Sequence, residues 1–486
     1  MTKTAETEFN SDSNSLTSES EKMTSLTPKQ RTLVLIGISL ASFMTPFGVS
    51  MLNLSLPQIS ADFNVGAHAL GWISTAYLLS SVLFLVPMAR LSDLVGRKKI
   101  FLAGMTLATI SATLQLFSPS FAVLILLRAL DGLSMSCVFA TSLPILSSIY
   151  PASKRGSVFG INISVIYIGS SLGPVVGGIL TQYFGWRSLF LLLIPLAAGS
   201  AVLVARAMKI EFIESKGEPF DKTGALLYMI TVFFALFGLS NLPQTWAFGL
   251  LAVGLITLPI FIAYTRKQQY PIMKVDLFFT NKHFSRSNTA AFLNYAGTYA
   301  IVFFLSLYLQ RVQMFPSAAA GFILLAQPLL QAVFSPFVGR LSDRFDSRYL
   351  STFGMLLLTG GLIGLAFLGP DSSILYLLIC EIVVGIGFAF FASPNTSTIM
   401  GCVSQKDYST ASASLSIMRQ SGMVLSMAIA MCVIAVFLGS TEMIRTDTIP
   451  LFLTAMRTTF LIGAGLCLAG AVLSYLRGPT VREEKV

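Results

Sequence analysis

Four charged residues stand inside long apolar stretches of this sequence: Arg128, Asp131, Glu381 and Arg419. A charge in the hydrocarbon core of a membrane is costly, and such residues typically serve binding, transport or proton transfer. Arg128 and Asp131 are three residues apart, a spacing that allows an ion pair on one helix face. Glu381 and Arg419 lie far apart in the sequence, and three roles remain open for Glu381. The three roles are an ion pair with Arg419, a second proton-carrying site, and contact with a cationic substrate.

These charges are positioned by fourteen apolar segments between residues 33 and 476, each long enough to cross a bilayer as a helix. The chain is 54% hydrophobic and 11% charged, whereas soluble domains carry about 25% charged residues. The uncharged stretch 223–265 is divided into two segments by a polar, proline-containing break at 241–244. Long uninterrupted runs favour helices over the short alternating strands of a β-barrel. We therefore predict an all-α polytopic membrane protein.

The basic residues indicate how the chain is oriented in the membrane, because loops rich in Lys and Arg stay on the cytoplasmic side. With the N-terminus inside, the basic loops at 90–99, 206–222, 266–286 and 340–348 all fall on the cytoplasmic side. The opposite loops contain only Arg187, Arg311 and Arg445. We predict a multi-pass protein of the plasma membrane with both termini in the cytoplasm.

The sequence contains an internal repeat. The loop 89–98 after the second segment matches the loop 339–348 after the tenth, with Asp93 and Asp343 in register. A second match aligns 128–132 with 381–385. Repeated halves are typical of transporters that work by alternating access. The predicted units are a disordered polar tail 1–31, a six-helix half 32–210, a linker 211–283 with two extra helices, a second six-helix half 284–477, and a short tail 478–486.

At these residues the chain resembles the major facilitator superfamily, and more closely its fourteen-helix drug:proton antiporters. The loop 89–98 keeps the family signature at Asp93, Gly96, Arg97 and Lys98, with Ala89 in place of the first glycine. The resemblance implies that this loop is a gating clamp; the alternative is a charged loop that only fixes topology. The counterpart in the second half consists of Gly339, Asp343 and Arg344, and it is partly degraded at 346–348.

The fifth segment also resembles this family, in a motif associated with exporters rather than importers. The motif residues are Gly169, Gly173, Pro174, Gly177 and Gly178. Small residues allow helices to pack closely in lipid, and a proline allows a bend. A generic packing face is the alternative interpretation.

The chain departs from the family pattern at the end of the first segment, where Gly48 replaces an acidic residue tied to proton coupling or cation binding. Our hypothesis is that Asp131 supplies the missing titratable group; the alternative is a static pair with Arg128. Polar and aromatic residues at helical spacing are candidates for the substrate cavity, with packing as the alternative role for each. They are Asn53, Asn294, Tyr295, Tyr299, Gln327 and Gln331.

The resemblance implies a proton-coupled exporter of amphipathic or cationic small molecules, of the multidrug efflux type. We expect a monomer that is driven by the proton gradient and needs no cofactor. A metal site is not expected, because the five cysteines and two histidines form no metal-binding pattern. No basic stripe indicates nucleic-acid binding, and no nucleotide-binding loop or nucleophile–base pattern indicates ATP use or an enzyme. The alternatives are a facilitator or importer of a metabolite and, further off, a non-transporting membrane sensor.

Overall fold

The computed structural model describes residues 26–342, 344–403, 408–439 and 444–478, without the side chains of 152, 153, 155–157, 163, 408 and 409. Throughout this part of the chain the regular secondary structure is helical. Fourteen of the helices are long and apolar enough to cross a membrane. The predicted fold class, an all-α protein with fourteen spanning helices, is thereby confirmed.

The fourteen spanning helices are labelled α1 to α14 in chain order. Those of the first half are α1 Pro28–Phe63, α2 Ala67–Val95, α3 Arg97–Leu116, α4 Phe121–Ile149, α5 Ala152–Phe184 and α6 Ser188–Ala207. The inserted pair is α7 Lys222–Ser240 and α8 Thr245–Thr265. Those of the second half are α9 Lys282–Val312, α10 Ser317–Ser342, α11 Ser347–Ala366, α12 Ile374–Gly401, α13 Tyr408–Phe437 and α14 Ile449–Leu476. A four-residue helix, Leu277–Thr280, precedes α9.

Helix α1 begins earlier than the sequence predicts, so that the last residues assigned to the polar tail are helical. Thr27 and Gln30 form a capping box, in which the Thr27 hydroxyl accepts from the Gln30 backbone amide and the Gln30 side chain accepts from the Thr27 amide. Pro28 occupies the first helical turn, where its missing N–H costs nothing. These local bonds start the helix at Pro28, ahead of the apolar run. Residues 1–25 of the predicted tail lie outside the described residues.

Within each half, a glycine allows close contact between a pair of helices, and the pair is the equivalent one in the two halves. In the first half, a Cβ at Gly132 of α4 would lie 2.9 Å from the Ser80 Cβ of α2. In the second half, a Cβ at Gly385 of α12 would lie 2.5 Å from the Gln327 carbonyl oxygen of α10. Such distances leave room only for glycine. The repeated sequence at 128–132 and 381–385 therefore corresponds to a repeated packing contact.

The inserted helices pack against each other and against both halves. The Tyr228 hydroxyl of α7 donates to the Val82 carbonyl of α2 over 2.9 Å. Tyr228 also belongs to an apolar cluster with Phe261 of α8 and Ile417 of α13. Since α2 and α13 come from different halves, the inserted pair lies beside the line where the halves meet.

The two halves are joined at the ends of the helices that the positive-inside rule places outside. Gln310 of α9 donates to the Leu54 carbonyl of α1 over 3.1 Å, and Arg311 donates to the Pro57 carbonyl over 2.7 Å. Pro57 has no N–H, so the Asn53 carbonyl loses its helical donor, and the Ser306 hydroxyl of α9 donates to it instead. A break in the α1 hydrogen-bond ladder thus becomes part of an outer seal between the halves.

Candidate functional site

The ion pair that the spacing of Arg128 and Asp131 predicts is present in α4. Arg128 Nη1 donates to Asp131 Oδ2 over 2.6 Å, and Arg128 Nε donates to the Ile73 carbonyl of α2 over 3.2 Å. The guanidinium also lies over the Tyr77 ring, 4.7 Å from its centroid. Both charged residues are buried. The ring and the carbonyl are favourable contacts for the guanidinium in addition to the carboxylate.

Gly48 and Asp131 line one small cavity between α1 and α4, together with Thr45, Tyr77 and Arg128. The cavity has a volume of about 20 Å³, which is enough for a water molecule. A Cβ at Gly48 would meet only Leu193, at 3.4 Å. Gly48, where the family has an acidic residue, and Asp131 therefore line the same cavity.

Tyr299 extends from the second half toward this pair. It interacts with Ser74, Tyr77 and Arg128 of the first half. Its hydroxyl is buried on the side that faces Ser74. The Arg128–Asp131 pair thus lies close to the interface between the halves rather than enclosed in one of them.

Glu381 and Arg419 do not pair with each other, so that alternative of the sequence analysis is wrong. Glu381 is buried at 1% exposure, and its Oε2 has no hydrogen-bond partner among the described residues. Arg419 Nη2 donates to the Thr396 hydroxyl over 2.8 Å, and the guanidinium lies 5.8 Å from the centroid of Tyr295. The two charges belong to α12 and α13 and point to different surroundings.

Arg419 belongs to a polar cluster at the middle of the interface between the halves. Tyr167 of α5 lies within interaction range of Arg419 and Tyr295, and of Ser335 and Gln331 of α10. The predicted cavity residues Tyr295 and Gln331 are therefore brought together, and Tyr167, Ser335 and Thr396 are additions that the sequence analysis missed. Tyr167 lies two residues before the exporter motif, a position that gave no separate signal.

The other predicted cavity residues lie elsewhere. Asn53 is buried, and its backbone carbonyl belongs to the outer seal. Asn294 is directed into the second half, where its Nδ2 donates to the Met355 sulfur over 3.1 Å. Gln327 is almost fully buried beside Gly385, and its Oε1 has no partner in the described part of the chain. For Asn294 the packing alternative matches the geometry best.

The loop between α2 and α3 forms the charged turn that the signature predicts. Gly96 has φ +125°, which only glycine adopts without strain. The turn lets Arg97 reach back to Asp93, 3.0 Å away, and across to the Ser148 hydroxyl of α4, 2.9 Å away.

In α5 the exporter motif packs on α1: a Cβ at Gly169 would lie 2.6 Å from the Phe43 carbonyl, and one at Gly173 would lie 2.5 Å from the Ser50 Cβ.

The same face of α5 continues outward through Pro174, Gly177 and Gly178. A Cβ at Gly177 would lie 2.5 Å from the Met51 Cα of α1, and one at Gly178 would lie 3.0 Å from the Ala318 Cα of α10. The motif therefore contacts α1 along its length and α10 at its outer end. It connects the two halves at the side where the seal lies.

An acidic linker binds the charged turn, and the sequence analysis missed it. Glu214 forms an ion pair with Arg97, and Glu218 forms one with Arg90 over 2.6 Å. The Glu211 carboxylate accepts from the Lys98 backbone amide over 2.8 Å. The three glutamates are spaced at 211, 214 and 218 in a segment without helix, so no periodic pattern marked them as a unit.

The second loop is built differently. Asp343 lies outside the described residues, Gly339 packs near the Ser393 hydroxyl of α12, and Arg344 is exposed. A buried cation is supplied instead by Arg477, at 2% exposure, just after α14. It donates to the Asn395 amide oxygen over 3.1 Å and to the Ser351 hydroxyl over 3.2 Å. Burial lowers the pKa of Arg477 to about 10.

A family model with the description Major Facilitator Superfamily matches residues 38–274 and 288–486. The chain belongs to this superfamily. The bundle of two halves around a polar interface is accordingly that of a major facilitator transporter, a multi-pass protein of the plasma membrane and not an enzyme. The relatives described next are named as transporters, an efflux pump or multidrug resistance proteins, which favours a transporter over the alternative of a non-transporting sensor.

Relatives that are named for different functions resemble the chain to a similar degree. The riboflavin transporter RibZ of Clostridioides difficile is 28% identical over 92% of this chain and 97% of its own length. The multidrug resistance protein Stp of Mycobacterium tuberculosis is 29% identical over 84% and 77%, respectively. The multidrug efflux pump LfrA of Mycolicibacterium smegmatis is 26% identical over 81% and 79%.

Solved structures support the fold. A bacterial homologue of the lysosomal transporter Spinster, in an inward-facing and unoccupied conformation, matches with a TM-score of 0.62 and 17% identity over 93% of this chain and 97% of its own. A peptide transporter of the POT family matches with a TM-score of 0.68 and 14% identity over 90% and 94%. At these identities the likeness concerns the fold alone.

Proposed function

We propose that this transporter is a proton-coupled exporter of amphipathic small molecules that works by alternating access. The observation that carries the proposal is the Arg128–Asp131 pair, placed in the cavity that also contains Gly48. The exporter motif of α5 supports the direction of transport, and two multidrug proteins among the relatives support the class of cargo.

The proposed proton step is a change in the charge of the α4 pair. With Asp131 ionised, the pair is neutral overall and held by the 2.6 Å contact. Proton uptake by Asp131 removes this attraction and leaves Arg128 with Tyr77 and the Ile73 carbonyl. Since Tyr299 of the other half lies beside Arg128, the change in charge reaches the interface that must open and close.

The proposed conformational step uses the two charged ends of the bundle. The outer seal of α1 against α9 is closed in this structure, and the cytoplasmic turn at Asp93 is bound by the acidic linker. Substrate enters from the cytoplasmic side, the seal opens, and a proton from outside reaches Asp131. One chain contains both halves, so a monomer suffices for the cycle.

Transport into inverted membrane vesicles tests the proposal. Vesicles that contain the full-length protein are given an imposed pH gradient, acid inside, and uptake of a fluorescent aromatic substrate is followed with and without a protonophore. Gradient-dependent uptake by the wild type, and none by Asp131→Asn, is the expected result. Equal proton dependence in both proteins would remove Asp131 from the mechanism.

Import of a metabolite on the same scaffold is the second candidate. It is favoured by the relative RibZ, which is named as a riboflavin transporter and matches over almost its whole length, and by the absence of an acid at Gly48. Uptake of riboflavin by intact cells that express the protein, compared with extrusion from preloaded cells, distinguishes the two directions.

A further inference from the structure

The charges at the interface between the halves do not balance. In α4 the charge of Arg128 is matched by Asp131 at 2.6 Å. In α13 the guanidinium of Arg419 has no ion-pair partner among the described residues; its contacts are the Thr396 hydroxyl and the Tyr295 ring. Its Nε is buried and makes no hydrogen bond there. A half-buried cation with an unused donor is suited to bind an anion.

The neighbours of Arg419 are donors and rings rather than acids. Tyr167 and the ring of Tyr295 lie near it, and Tyr167 in turn lies near Ser335 and Gln331 of α10. These side chains come from α5, α9 and α10, so the cluster spans both halves. The two tyrosine rings offer flat surfaces next to the cation, which suits an aromatic ring that carries an anionic group.

The acidic residues of the interior are not arranged to receive a cation. Asp131 is already paired with Arg128, and Glu381 is closed off at 1% exposure. A cationic substrate at the Arg419 cluster would face an unscreened like charge, which is unfavourable at short range. The cationic cargo that the sequence predicts therefore does not match the charges of this interface.

We infer that Arg419 is a specificity-determining residue that binds the anionic group of the substrate, and that the cargo is an amphipathic aromatic anion such as an aryl carboxylate. The inference rests on the proposed export function. The planar guanidinium donates two parallel N–H hydrogen bonds to the carboxylate oxygens, while Tyr167 and Tyr295 contact the ring.

This substrate class has an electrical consequence. Exchange of one anion leaving for one proton entering moves two positive charges inward, whereas exchange of a monovalent cation for a proton moves none. An inside-negative potential therefore drives export of the anion in addition to the pH gradient. Exchange of a neutral substrate for a proton moves one positive charge inward, so the dependence of transport on membrane potential is strongest for the anion, weaker for a neutral substrate and absent for a monovalent cation.

The test uses three probes with the same ring: 1-naphthaleneacetate, its neutral amide, and 1-naphthalenemethylamine as the cation. Binding to the purified full-length protein and transport in proteoliposomes are measured for wild type, Arg419→Gln and Arg419→Lys. Arg457→Gln is the matched control, because Arg457 is exposed near the outer end of α14 and lies over Phe367, 5.0 Å from the ring centroid.

The expected result is that the carboxylate binds best, and that Arg419→Gln weakens its binding by about tenfold, the effect of one charge-assisted hydrogen bond. Binding of the amide stays unchanged in that variant, which shows that the protein is folded, and Arg419→Lys recovers part of the carboxylate binding. A potassium diffusion potential, negative on the cytoplasmic side, accelerates carboxylate transport in the wild type.

Preference for the amine, binding of none of the three probes, or an unchanged carboxylate affinity in Arg419→Gln would overturn the inference. Failure of the proposed export function has a different signature: the carboxylate binds through Arg419, but no pH gradient moves it outward. The two failures are therefore distinguishable in one set of proteoliposomes.

Discussion

Gly48 of α1 and Asp131 of α4 face the same water-sized cavity. A Cβ at Gly48 would meet only Leu193, at 3.4 Å, so a side chain introduced there would begin at the cavity that Arg128 also lines. Two positions on different helices thus line one cavity, and in this protein the acidic residue is the one on α4.

We predict that Asp131→Asn abolishes transport driven by a pH gradient, and that Gly48→Asp in the Asp131→Asn background restores part of it. Removing one partner of a buried pair costs about 3–5 kcal/mol because the other charge is left uncompensated. Vesicle uptake across a range of imposed gradients measures both effects. The double variant Arg128→Gln/Asp131→Asn, in which no charge remains, separates loss of coupling from loss of stability. No recovery by Gly48→Asp would contradict the shared site.

The ion pair between Arg97 and Glu214 predicts that the acidic linker has a modest effect on the equilibrium between the state with a closed outer side and the state with an open outer side. Glu214 is 58% exposed and Arg97 only 8%, so the pair is worth up to about 1 kcal/mol, or roughly a fivefold change in population. Glu214→Gln is expected to lower the population with a closed outer side by no more than this. Arg97→Gln should act more strongly, because Arg97 also binds Asp93 and Ser148.

This equilibrium is followed through labelling of a cysteine at Ser74 by an impermeant maleimide added outside, in a cysteine-free background. Lys216→Gln, a neighbouring exposed change in the same linker, is the control. High salt should reduce the effect of Glu214→Gln, since exposed pairs are screened. An effect of Glu214→Gln as large as that of Arg97→Gln would argue against this assignment.

The outer seal predicts a specific role for the Ser306 hydroxyl. Ser306→Ala leaves the Asn53 carbonyl without a donor, because Pro57 cannot supply one. We expect the closed seal to lose about 1 kcal/mol, the net value of one hydrogen bond. The same Ser74 labelling assay should then show faster modification from outside. Ser55→Ala is the control, since its hydroxyl donates within α1 to the Leu52 carbonyl over 2.7 Å; equal effects of the two variants would contradict the prediction.

The exporter motif predicts a position-specific cost for adding a methyl group to α5. Gly173→Ala places a Cβ 2.5 Å from the Ser50 Cβ of α1, and overpacking of this kind typically costs about 1–3 kcal/mol. Reduced transport and a lower melting temperature in detergent are expected. Gly160→Ala on the same helix meets nothing within 4 Å and should leave both unchanged. A harmless Gly173→Ala would indicate that α1 and α5 are not closely packed there.

Features that depend on one helix could be predicted from the sequence. Apolar runs predict the spanning helices because a membrane requires satisfied backbones within each segment. The spacing of Arg128 and Asp131 predicts their ion pair because helix geometry fixes which residues share a face.

Features that depend on how helices are arranged could not be predicted. Glu381 and Arg419 are on different helices, and no spacing rule relates their directions. Arg477 follows directly after an apolar run and reads as a solvated basic end, whereas the fold buries it among Ser351 and Asn395. The unhelical linker with Glu211 and Glu214 has no periodicity that would reveal its partners.

The linker between α6 and α7 connects the inserted helix pair to the charged turn between α2 and α3. Glu214 and Glu218 form ion pairs with Arg97 and Arg90. Deleting the segment from this linker to the end of α8, to make a twelve-helix protein, would therefore remove the counter-charges of the charged turn. Any ligand, lipid or binding partner that displaces α7 and α8 would also disturb the ion pairs of these glutamates. We therefore expect the insertion to couple the surroundings of α7 and α8 to the charged turn.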